Sequence, residues 1–309
     1  MRDAFIKRLA LLAEREPRVI LITGDLGFGV FDEYRRQRAG QFLNAGVAEQ
    51  NMTMLATGMA LEGYVAFTYS IGNFPTLRCL EMIRNDAAYH DANVKIVSIG
   101  GGFSYGALGI SHHATEDLAI MRSLPGLTVV SPGGLWEASE ATEAIARQPG
   151  TCYLRLDKDH GPDGADGHEA FILGKARLLR EGTDCTVVVT GGILREVVTA
   201  ADTLAREGIQ TRILSMHTLK PIDSAAILAA ARETGAVVTV EEHTIHGGLG
   251  GAVAEVLLDH GARPKAFLRI GLESGFSSIV GSQDYLRRRY GLDGLSIAAR
   301  VRSLLSREH

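Results

Sequence analysis

Glu49 and His112 are the two residues whose type and setting best suit proton transfer. Glu49 lies in Asn44-Ala45-Gly46-Val47-Ala48-Glu49-Gln50-Asn51-Met52, which reads as a loop turning into a helix. Ala48, Met52, Leu55 and Met59 recur at four-three-four spacing and predict one apolar stripe. Glu49 stands beside that stripe in a row with Thr53, Ala56 and Ala60, small neighbours that let another backbone or a flat ligand come close. A carboxylate in the first turn of such a helix either complements the positive helix end or is a buried acid with a chemical role. His112, in Ser111-His112-His113, follows the Gly100-Gly101-Gly102 turn at the end of an apolar run. An imidazole titrates near neutrality, so it can both accept and donate a proton.

The wording of the Glu49 stretch resembles the pyrimidine-domain motif of the transketolase family of thiamine-diphosphate enzymes. The resemblance extends over essentially all of this chain but only the second half of a full-length transketolase. It implies that Glu49 hydrogen-bonds N1′ of the cofactor's aminopyrimidine. A buried carboxyl there shares its proton with the ring nitrogen and favours the imino form of the 4′-amino group, which takes the thiazolium proton. The stretch from Phe74 to Glu81-Met82-Ile83-Arg84-Asn85 resembles the family's second motif, which implies that Phe74 stacks on the aminopyrimidine. Arg78 aligns with an arginine that contacts a substrate anion in deoxyxylulose-phosphate synthases. Ser111-His112-His113 resembles the family's Thr-His-Gln, so His112 corresponds to the active-site histidine; His113 has no counterpart. Arg155 matches an arginine that binds substrate phosphate, a task its forked guanidinium suits. The competing reading of Arg155 is an ion pair with Asp157 or Asp159.

Two departures bear on the substrate. Leu108 stands where the family has an acid that contacts a donor hydroxyl, and Gly100 stands where transketolases keep a histidine. Fewer polar contacts favour a less hydroxylated donor or acceptor. Glycine-rich turns at Gly24, Gly100–Gly102 and Gly247–Gly251 lack the spacing of a dinucleotide fingerprint and read as turns. The family's diphosphate and Mg²⁺ are held by the half that this chain does not contain, so no metal site is expected here. The resemblance therefore implies a partner subunit with the diphosphate-binding domain, an α2β2 heterotetramer, and transferase activity on a ketose or 2-oxo acid only in that assembly. Two alternatives stay open: the E1 β subunit of a 2-oxoacid dehydrogenase, and a non-catalytic scaffold of the same fold.

The elements that must position these residues alternate. Runs such as Val94–Ile99 and Thr186–Thr190 read as buried strands, with amphipathic helices between them, from a first helix at Arg2–Glu14 to two helices at the C-terminal end. This predicts two doubly wound α/β domains, each with a mostly parallel sheet. The Asp-, Gly- and His-rich stretch around Asp157–His168 sets the expected division: residues 1–160, a linker at 161–170, and residues 171–309. A length of 309 residues fits two domains. With 46% hydrophobic and 22% charged residues the composition is that of a folded chain. A net charge of −4 gives no footprint for nucleic acid. No apolar run is long enough to span a membrane. Three scattered cysteines and an N-terminal helix of alternating charge, with no signal-peptide core, lead us to expect a cytoplasmic protein.

Overall fold

The computed structural model describes residues 1–27, 29–163 and 169–306. The first part of the chain runs α1 (Arg2–Arg15), β1 (Val19–Thr23), α2 (Asp32–Gln37), β2 (Phe42–Asn44), α3 (Glu49–Leu61) and β3 (Val65–Ile71). It continues with the short α4 (Leu80–Met82), β4 (Val94–Ile99), α5 (Asp117–Ser123), β5 (Thr128–Val130), α6 (Leu135–Arg147) and β6 (Cys152–Leu156). The sequences VILIT and VKIVSI of β1 and β4 are buried at every position, as strands covered on both faces require. Seven strands form the sheet β10-β5-β6-β4-β3-β1-β2, where β10 (Thr218–Lys220) comes from the second part of the chain. All its pairings are parallel except that of β10 with β5.

The second part runs β7 (Arg177–Arg180), β8 (Cys185–Thr190), α7 (Leu194–Arg206), β9 (Thr211–Ser215), β10, α8 (Ser224–Glu233), β11 (Ala236–Thr244) and α9 (Leu249–Asp259). It ends with β12 (Ala266–Leu272), α10 (Gln283–Arg289) and α11 (Gly294–Leu305). Its sheet, β12-β11-β8-β9-β7, is parallel apart from β7. The fold is thus two α/β domains with largely parallel sheets. A shared core joins them: Met52, Ala56 and Met121 belong to one apolar cluster with Leu214, Val237 and Leu249. Residues 164–168 of the expected linker lie outside the described residues.

Three local expectations need correction. Phe74–Ala88, which its sequence suggests is one helix, is a series of turns up to Cys79, then α4, then a wide π-helical turn at Ile83–Ala88. The Thr76 hydroxyl donates to the Gly72 carbonyl at 3.1 Å within these turns. In α3 the small-residue row is the buried face: Glu49, Thr53, Ala56 and Ala60 are buried with Met52, while Leu55 is 38% exposed. Small side chains let α3 lie close on the sheet, which outweighs the larger stripe. The edge strands β2, β7 and β10 and the short α2 were not anticipated, because three- to six-residue elements carry too few turns or alternations to show a period.

Candidate active site

The carboxyl ends of β2, β3 and β4 lie on one edge of the first sheet, and each is followed by a candidate residue. Glu49 follows β2, Phe74 and Arg78 follow β3, and His112 follows β4. That edge is where open parallel sheets place their ligands.

Asn44 braces the turn that leads to Glu49. Its side-chain oxygen accepts the N–H groups of Asp25 and Gly46, both at 3.0 Å, and its amide donates to Asp25 Oδ1 at 2.9 Å. Gly46, at φ +76°, makes the left-handed turn into α3 that a side chain would resist. Glu49 is only 3% exposed. Its neighbour Gly24 is hydrogen-sized for a reason: a Cβ there would lie 3.3 Å from Glu49 Cγ. Arg78 Nη1 donates to Glu49 Oε2 at 2.6 Å, and the same guanidinium lies over the Phe74 ring, 4.7 Å from its centroid. Phe74 meets the His112 ring edge-on at 5.1 Å. Glu49, Arg78, Phe74 and His112 are therefore one contiguous row.

His112 ends a 3₁₀ turn, and its Nδ1 is 3.0 Å from the Ser111 hydroxyl. Burial, with help from His113, lowers its pKa from the usual 6.5. The neutral, proton-accepting ring thus persists below pH 6.5. If His112 accepts a proton during turnover, the acid limb of kcat should fall below that pH, and His112→Gln should remove the limb. His113 is a buried core histidine, with Nε2 at 3.1 Å from the Gly106 carbonyl. Leu108 and Ile110 are exposed at the rim.

Arg155 does not join the row. It is 1% exposed, and its Nε lies 3.5 Å from both Asp117 and Asp157. Its Nη2 donates to the carbonyl of Glu242 at 3.0 Å. The guanidinium sits in a buried ion network, which is the competing ion-pair reading with Asp157, joined here by Asp117. Asp159, the other acid considered, pairs with Arg195 and Arg287.

Sequence reasoning also missed what fills the space at Gly100. A Cβ there, at φ +105°, would fall 2.3 Å from the Tyr105 ring, so the glycine makes room for Tyr105. Tyr105 sits 6.2 Å from His112 and carries the Lys158 ammonium 3.7 Å above its ring. A cleft of about 670 Å³ opens beside it, lined by Arg2, Lys7, Lys158 and His160, with Asp3 the one acid on its wall. Of the glycine-rich turns, the one at Gly247–Gly251 gives its N–H groups to Glu241, which accepts from Leu249 and Gly250, both at 2.7 Å. Among the described residues, one group of three acids is close enough to share an ion, Asp159, Glu196 and Asp284. Arg195 and Arg287 already neutralise it. No helix of the described residues is long and apolar enough to cross a membrane.

Residues 1–163 match the transketolase pyrimidine binding domain, and residues 174–297 match the transketolase C-terminal domain. A putative transketolase C-terminal section from Methanocaldococcus jannaschii is 37% identical, over 100% of this chain and 97% of its own length. A 6-deoxy-6-sulfo-D-fructose transketolase subunit from a Clostridium strain is 34% identical, over 100% and 95%. A solved structure described as a split gene transketolase, inactive beta4 tetramer, superposes with a TM-score of 0.88 at 34% identity, covering 99% of this chain and 97% of that one. The chain belongs to the transketolase family, as the section of a split enzyme that joins the pyrimidine-binding and C-terminal domains and serves thiamine-diphosphate-type two-carbon transfer.

Proposed function

We propose that this chain is the transferase subunit that supplies the aminopyrimidine side of a thiamine-diphosphate site and becomes active when a second chain completes it. One observation carries the reading: a buried carboxylate and an aromatic face hold a flat, N–H-bearing cation between them. That cation is the Arg78 guanidinium, bonded to Glu49 and lying on Phe74. An aminopyrimidine is likewise flat and hydrogen-bonding, so the cradle fits it once Arg78 moves aside, which its 45% exposure allows. Glu49 would then hold a proton at N1′, and Phe74 would support the ring. Bound thiamine diphosphate supplies the electron sink for carbon–carbon cleavage. His112 would exchange protons with donor or acceptor oxygens. Phe74→Ala should weaken cofactor binding about fivefold, equivalent to about 1 kcal/mol of stacking, as read by isothermal titration of the assembled enzyme.

The partner we propose carries the diphosphate-binding domain and holds Mg²⁺, in an α2β2 assembly in the cytoplasm. Val47, Met54, Leu55, Leu61 and Leu77 are exposed on and around the Glu49 helix, an apolar border that a second chain would cover. The related beta4 tetramer is described as inactive, as a chain without that partner should be. The division into 1–160, 161–170 and 171–309 is kept as part of this proposal.

The substrate we propose is a ketose or 2-oxo acid with few hydroxyl groups beside the cleaved bond and an anionic far end. Tyr105 and Leu108 offer less hydrogen bonding than the family's histidine and acid, while Lys158 and Arg2 face the adjoining cleft. Lys158→Ala should raise KM for an anionic ketose about fivefold with kcat kept, as expected for a charge pair near solvent. The deciding experiment is to co-purify the chain with its partner, add thiamine diphosphate and Mg²⁺, and assay ketol transfer. Failure on every ketose and 2-oxo acid would favour the scaffold alternative. Decarboxylation onto a lipoyl acceptor would favour the E1 β one.

A further inference from the structure

The segment that carries His112 is built of turns rather than regular structure. Between β4 and α5 it has two single 3₁₀ turns, at Gly106–Leu108 and Ile110–His112. Gly100, Gly102 and Gly109 all have left-handed φ values there, and glycines leave a backbone many alternatives. Its base is closed by one antiparallel bridge: Gly102 N–H donates to the Ala114 carbonyl at 2.7 Å, and Ala114 N–H returns to Gly102 at 3.1 Å. Whatever fixes Gly102 and Phe103 thus fixes both ends of the loop whose far side is His112.

Asn73 of the first domain donates to the carbonyls of Ser111 and His113 on the far side of the loop, whereas the groups that fix its base come from the second domain. Glu242, on β11, is 2% exposed. Its Oε1 accepts the Phe103 N–H at 2.6 Å and Gln283 Nε2 at 3.0 Å, and its Oε2 accepts Arg287 Nε at 2.6 Å. Contact is so close at Gly102 that a Cβ would meet Glu242 Oε1 at 2.6 Å. Thr244 N–H donates to Thr115 at 2.8 Å, Gly281 N–H donates to Gly106 at 3.3 Å, and Phe103 stacks on Tyr290 with centroids 5.4 Å apart. Charge-assisted bonds inside a low-dielectric interface are the strong ones in this set.

We infer that Glu242 is the positioning residue of the His112 loop: it contacts none of the candidate catalytic side chains and acts on His112 through the Phe103 N–H at the base of the loop. This rests on the reading of His112 as the proton-transfer group. Glu242→Gln keeps the shape but has one acceptor oxygen where two are used. Its NH₂ repels either Arg287 or the Phe103 N–H, and the stronger donor, Arg287, takes the oxygen. In the full chain, the His112 ring should give one set of NMR signals in the wild type and broadened or doubled signals in Glu242→Gln. In the assembled enzyme, kcat should fall about 10- to 100-fold, the scale of a small misplacement, with KM within about threefold. Glu255→Gln serves as control: Glu255 pairs with Arg122 across the same two domains, at 2.7 and 2.8 Å, without touching the loop, and should change neither readout. If Glu242→Gln does not fold, Gln283→Ala, which removes one donor from the same carboxylate, should give the same change in smaller degree. Unchanged His112 signals and unchanged kcat in the folded variant overturn the inference. Doubled signals in a chain whose wild type shows no turnover keep the inference and refute the reaction.

Discussion

Glu49→Gln is expected to cut turnover by about 10²–10⁴-fold, the usual worth of a positioned acid–base group, while the protein stays folded. The variant keeps the volume and one acceptor oxygen. Arg78, which bonds Glu49 at 2.6 Å, is half in water and can regain solvation when its partner loses charge. The fold therefore has little reason to fail. What the amide cannot do is hold a transferable proton at a ring nitrogen. Circular dichroism and the melting curve should match wild type while kcat collapses in the assembled enzyme. Near wild-type kcat would remove Glu49 from the chemistry, and loss of folding would return it to a structural role.

Arg155→Met should act on stability. Its guanidinium lies between Asp117 and Asp157, is almost wholly buried, and bonds the backbone of Glu242. Asp117 also accepts the Tyr153 hydroxyl at 2.6 Å, and Asp157 accepts the Gly192 N–H at 2.5 Å, so both acids are fixed in place. Removing the cation leaves two carboxylates facing each other without water, a change that costs about 3–5 kcal/mol for a broken buried pair. Urea unfolding should show that loss. Arg155→Lys should fall between the two, because a lysine keeps the charge but not the fork. A residue that bound substrate phosphate from the cleft wall would behave otherwise, raising KM and leaving unfolding unchanged.

Glu49, Phe74 and His112 were legible as a group through the family motifs they resemble, and the parallel sheet brings the strand ends before them to one edge. The alternation of buried runs and amphipathic helices likewise revealed two α/β domains. What stayed hidden depends on residues far apart in the chain. Nothing near Arg155 says that Asp117 will reach it from a helix 38 residues earlier. Nothing near Gly100 says that Tyr105 will fold back into its space. Periodicity also misjudged α3, where Leu55 is exposed and the small row, with Glu49, faces in beside Met52. It reports which residues are apolar but not how closely a neighbour must pack. The strand β10 was invisible for the same reason: three residues join a sheet built from a distant part of the chain.

The most direct measurement is the distance from the Glu49 carboxylate to N1′ of thiamine diphosphate in a crystal structure of this chain with its partner and cofactor. The expected distance is about 2.6–3.2 Å, hydrogen-bonding range, with Arg78 swung away and Phe74 against the ring. A carboxylate still held by Arg78, with the aminopyrimidine seated elsewhere, would contradict it.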